Sequence, residues 1–136
     1  MDREPGFPPA APGTVLLAIP AERGQVTLVR SVAAHFGARL GLSVAQLTDL
    51  QLAVAEACGL FLLAPDFPAA GMLECRFEQP PQAIRITVSA VIPPGLAPDM
   101  DDIGWIMLGA LVDELGWQVA DGIGTVSLFT RFDRRA

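Results

Sequence analysis

The 136-residue chain contains no lysine, no asparagine and no tyrosine, and its only histidine is His35. The missing ammonium excludes a Walker-type phosphate loop and a Schiff-base lysine, both of which depend on it. One histidine cannot build a His-based zinc cluster. Nor does it anchor a nucleophile–base–orienter set, because Ser31 is the only hydroxyl one helical turn away and no carboxylate stands nearby. The two cysteines, Cys58 and Cys75, are too few for a disulfide framework and fit reduced core residues. The longest uncharged apolar run, Ile103 to Val112, is roughly half of what a membrane span requires, and no secretory signal pattern is visible. The expectation is a cytoplasmic protein without a membrane partner. A net charge of −6 removes the basic footprint that nucleic acid requires, so no nucleic-acid partner is expected.

What remains is a chain that is 51% apolar, long enough for one domain with a single core. Residues 1–13 are rich in proline, glycine and alanine without periodicity and read as a flexible leader; the domain spans residues 14–132. Thr14 to Ile19 reads as a strand, and Gln25 to Leu40 as a helix with Arg23, Arg30 and Arg39 available to its solvated side.

The centre is a long helix between Ser43 and Ala64. Ser43 and Gln46 form a capping-box pattern, Leu47, Leu50, Val54, Ala57 and Phe61 recur at helical spacing, and Pro65 closes the run. Met72–Glu78 and Ala83–Val91 alternate as two strands of a hairpin. Ile103 to Leu115 reads as a third helix, Trp117 to Ala120 as a short strand, Asp121 to Gly124 as a turn, and Thr125 to Phe132 as a last strand. Hairpin strands beside segregated helices predict an α+β two-layer sandwich, a mixed and mostly antiparallel sheet with three helices on one face.

One carboxylate, Glu56, stands in the apolar wall of the central helix, where a solvated residue or a partner for an arginine such as Arg85 is the plain reading. The acidic run Asp99 to Asp102 fits no EF-hand spacing and reads as a helix cap, so no metal site is expected.

Asp49-Leu-Gln-Leu-Ala-Val-Ala-Glu-Ala-Cys, the Ala-Leu-Val-Asp-Glu-Leu that ends the third helix, and Gly124-Thr125 resemble three patterns of the anti-sigma-factor serine kinases. That family is a branch of the histidine kinase-like (GHKL) ATPases. The resemblance covers roughly residues 14–132 and implies the GHKL sandwich fold. It implies that Glu56 matches the glutamate that activates the attacking group. It places Leu60, Ala90, Gly104 and Thr125 at positions of the nucleotide site.

The departures are specific. Leu60 stands where the family has its magnesium-holding asparagine, and a leucine cannot ligate a cation that demands oxygen. Ala90 stands at the position of the adenine-reading aspartate, and Asp102 at a glycine of the nucleotide lid, where it would face phosphate with like charge. Amides at Ile103 to Trp105 are left as a weak anion site.

What the resemblance implies is therefore a partner-switching regulator with an eroded ATP and magnesium site. Glu56 would be a remnant base, no resident cofactor is expected, and the partner would be a sigma factor or a STAS-type antagonist. Dimerisation is implied as in the family. The alternative is an active ATP-dependent serine kinase acting on such an antagonist. A third reading is a former site that takes a small apolar molecule.

Overall fold

The structure, a computed structural model, describes residues 13–64, 67, 68 and 71–132. Almost all of the expected leader, residues 1–12, lies outside the described residues, as does Pro65. In chain order the elements are β1 (Val15–Pro20), a 3₁₀ turn (Arg23–Gln25), α1 (Val26–Arg39), α2 (Val44–Leu62), β2 (Met72–Glu78) and β3 (Ala83–Val91). They are followed by α3 (Ile103–Leu111), β4 (Glu114–Ala120) and β5 (Ile123–Arg131).

The capping box sets where α2 begins. The Ser43 hydroxyl accepts from the Gln46 amide at 3.1 Å, and the Gln46 side chain accepts from the Ser43 amide at 2.9 Å. Two amide donors that the helix cannot satisfy internally are thereby paired. From that start, Leu50, Ala53, Val54, Ala57, Cys58 and Phe61 all turn to the core. Leu47 packs at its edge, beside Gly37 of α1. A Cβ on Gly37 would stand 2.7 Å from the Leu47 side chain, so the bare glycine lets the two helices approach.

The sheet has the order β1-β2-β3-β5-β4, and every adjacent pair is antiparallel. The expected mixed sheet is corrected in this respect: among the described residues it holds no parallel pair. Alternation gives each strand one core face. Leu73, Cys75 and Phe77 of β2 lie opposite or beside Ile86, Val88 and Ala90 of β3, which in turn meet Gly124, Val126 and Leu128 of β5. Phe36 of α1 contacts Phe77 with ring centroids 5.8 Å apart, tying the helical layer to the sheet. Each such fully buried large apolar side chain contributes about 1.5–3 kcal/mol relative to exposure.

Two boundaries differ from the sequence reading. The third helix stops at Leu111, because Val112 is extended (φ −133°, ψ 164°) and the Asp113 amide donates to the Phe129 carbonyl at 2.9 Å. Glu114 and Leu115 therefore belong to β4, where pairing with β5 satisfies backbone groups that a longer helix would leave on an unpaired strand. The following turn is two residues, Asp121-Gly122, both with positive φ (53° and 78°), and Ala120 pairs directly with Ile123. That is the primed hairpin geometry which matches strand twist. Ile123 and Gly124 are consequently strand residues, and Gly124-Thr125 lies inside β5 rather than before it.

Candidate functional site

Beside the C-terminal half of α2 lies a cleft of about 550 Å³. One wall is a helical stripe, Ala55, Glu56, Gly59, Leu60 and Leu63, spaced so that all five share a face. The opposite wall is the loop after β3, Pro93 to Asp99, and the end is closed by Asp102 and Gly104 at the start of α3. The prolines keep the loop out of regular structure, and it is tied by hydrogen bonds from Leu96 to the Pro93 carbonyl (3.3 Å) and from Asp102 to the Asp99 carbonyl (3.0 Å).

The structure thus brings together three of the sequence-derived site residues, Glu56, Leu60 and Gly104. A Cβ on Gly104 would stand 3.9 Å from Glu56 Oε2 and 3.1 Å from Asp102 Oδ2, so both carboxylates converge on one backbone position. Glu56 is half-buried and makes no hydrogen bond or ion pair among the described residues. The expected arginine partner is elsewhere: Arg85 lies 3.8 Å from Glu78 and stacks 5.2 Å over the Phe129 ring on the other face of the sheet.

Among the described residues, every charged side chain lining the cleft is acidic: Glu56, Asp99 and Asp102. The anion site expected at the start of α3 is altered by the same residues. Asp102 caps the helix by accepting from the Gly104 amide at 3.0 Å, and Asp99 Oδ1 accepts from the Asp101 amide at 2.9 Å. The helix end therefore already holds a carboxylate where an anion would sit. Among the described residues no group of three or more potential ligands is placed to hold a metal ion.

Ala90 and Thr125 stand outside the cleft. Ala90 is fully buried in the core face of β3, opposite Gly124. Thr125 points to the opposite face of the sheet, where its hydroxyl lies 2.9 Å from that of Ser89. That register sets it one residue out of phase with the buried positions of β5.

A residue that sequence reasoning did not place here is Trp117. Its indole lies in front of Gly124, where a Cβ would come within 2.5 Å of the ring and 3.0 Å of Ile92. It also contacts Phe61 of α2 at 5.9 Å between centroids. Trp117, Ile92 and Phe61 therefore form an apolar plug between α2 and the end of the sheet. The alternation Leu115, Trp117, Val119 carried the signal, but it is visible only once β4 begins at Glu114.

Cys58 of α2 and Cys75 of β2 are both buried free thiols. A hydrogen bond to Cys58, then burial, then the charges of Cys58 and Glu74 raise the Cys75 pKa well above the ordinary thiol value. Both are core groups, and neither lines the cleft.

These features make an α+β sandwich, three helices beside a five-stranded antiparallel sheet, with a cleft between α2, the post-β3 loop and the start of α3. The same fold is seen in the crystal structure of the RsbU and RsbW domains of Rv1364c from Mycobacterium tuberculosis, with a TM-score of 0.66 and 22% sequence identity. The match covers 90% of this chain and 34% of that one, so the chain spans about a third of that solved chain's length. No family model and no curated protein sequence matches the chain. No described helix is long and apolar enough to cross a membrane.

Proposed function

We propose that the chain is a partner-switching regulator of the anti-sigma-factor kinase type whose former nucleotide cleft no longer supports phosphoryl transfer. One observation carries the reading: among the described residues, the cleft that contains Glu56 is lined by carboxylates and apolar side chains, and no basic side chain is in its wall to meet a polyphosphate. Phosphoryl transfer depends on positioning and on positive charge at the transferring group. Here Leu60 follows Glu56 by one helical turn, Asp102 occupies the helix start, and Trp117 with Ile92 closes the space before Gly124. The likeness to a solved structure containing an RsbW domain supports the regulatory class.

On this reading Glu56 is a remnant of a catalytic base, and the protein acts by holding a sigma factor or a STAS-type antagonist. Homodimerisation is part of the same proposal. Calorimetric titration with ATP and magnesium tests it. No binding heat is expected. Micromolar affinity that Glu56→Ala abolishes would overturn the proposal in favour of an active kinase.

A further inference from the structure

We infer that the outward face of α3 is a docking surface for an amphipathic, basic segment of a partner protein. Ile103, Ile106, Met107 and Ala110 recur at i, i+3, i+4 and i+7, and all four are exposed. Ile103 is 71% exposed, Ile106 57% and Met107 52%, with Met100 just before the helix at 55%. Among the nine residues of α3 none is charged, and only Leu108 is buried. A helix without a polar face is ordinarily covered on all sides, and one that leaves contiguous large apolar side chains in water marks an interaction site.

The charges around the stripe select its occupant. Asp99, Asp101 and Asp102 stand at its N-terminal end and no basic residue lies between Pro98 and Leu115. At the other end Glu114 and Asp113 already engage Arg131, through its guanidinium at 2.6 Å and its backbone amide at 2.6 Å. A backbone amide carries no charge, so one net negative charge remains at that end against three beside Ile103. A second copy would bring an acidic end of the same sign toward this one. A partner helix with apolar anchors and arginine or lysine beyond them removes the repulsion and gains steering.

The inference rests on the partner-binding reading above and names the surface and the chemistry of the partner. The apolar stripe itself, Ile103, Ile106, Met107 and Ala110, does not line the cleft, while Asp99 and Asp102 border both.

A fluorescein-labelled helical peptide with leucines at i, i+3, i+4 and i+7 and an arginine pair at one end is the probe, read by fluorescence anisotropy against the full chain. Two controls replace the arginines by glutamates or scramble the leucine spacing. Only the basic, correctly spaced peptide is expected to bind, more weakly as salt rises. Ile106→Glu and Met107→Ser, both at exposed positions, are expected to weaken it about tenfold, with circular dichroism confirming an unchanged fold. Asp101→Arg is expected to weaken it several-fold.

Equal binding of the glutamate peptide, or wild-type affinity in Ile106→Glu, overturns the surface while leaving partner binding elsewhere intact. So does absence of any peptide binding. A concentration-dependent dimer that Ile106→Glu dissolves assigns the stripe to a second copy instead. Nucleotide binding in the calorimeter would strike at the regulatory reading without touching this one.

Discussion

The indole of Trp117 lies so close over Gly124 that a Cβ on the glycine would come within 2.5 Å of the ring. The two sit on adjacent strands two residues out of direct register, on the same face, since Trp117 pairs with Val126 and Val119 with Gly124. Absence of a side chain at Gly124 lets a large aromatic fold down across β5 onto Phe61, and this contact seals the end of the sheet beside the cleft.

Gly124→Val is therefore expected to lower stability by about 1–3 kcal/mol, because the indole and Ile92 would both have to move. Urea denaturation followed by tryptophan fluorescence measures it. A change within a few tenths of a kcal/mol would show that the strand end is loose rather than close-packed.

Removing the cap hydroxyl with Ser43→Ala is expected to cost about 1 kcal/mol, since it orphans the Gln46 amide and breaks the reciprocal bond of the box. Ser43→Gly should cost less. The pair of variants, compared by denaturant midpoint, separates the hydroxyl's contribution from a general effect of substitution at this site.

The Glu114–Arg131 ion pair, 2.6 Å long with both side chains about 60% exposed, is expected to contribute little. Glu114→Gln should change stability by less than about 1 kcal/mol in low salt and by less still in high salt. A larger loss in thermal melts would mean that this pair organises the β4–β5 edge.

Alkaline stability isolates the thiols. With no lysine and no tyrosine in the chain, cysteine and the α-amino group are the only groups of types that titrate between about pH 8 and pH 10. Cys75 is raised in the folded state by its hydrogen bond to Cys58 and by burial, so the unfolded chain loses that proton first. Its contribution is fully present below the unfolded value of 9.0 and is lost as pH rises above it. The urea midpoint is expected to fall over that range in the wild type and to fall less in Cys75→Ala. An identical slope in both would contradict the assignment.

Much of this was legible in the residues. The capping box, the periodicity of α2 and the alternation of β2 and β3 are local patterns, and the elements stand where those patterns put them. The end of α3 was not legible, because Leu111, Val112 and Leu115 continue the helical spacing of Leu108 past Asp113 and Glu114, and only the distant pairing with Phe129 decides that the segment becomes strand. Glu56, Leu60 and Gly104 come together in one cleft because two share a helix face and the third starts the next helix, whereas Thr125 lies on the other face of the sheet by a one-residue phase in β5. Trp117 was missed as a plug because its contact with Gly124 depends on two strands meeting, which no local pattern encodes.

We propose that the acidic cleft beside Glu56 has no use for a nucleotide. Calorimetric titration of the full chain with magnesium and ATP tests it directly. No saturable heat is expected at millimolar nucleotide for either the wild type or Glu56→Ala. Saturable micromolar binding in the wild type that disappears in Glu56→Ala would contradict it.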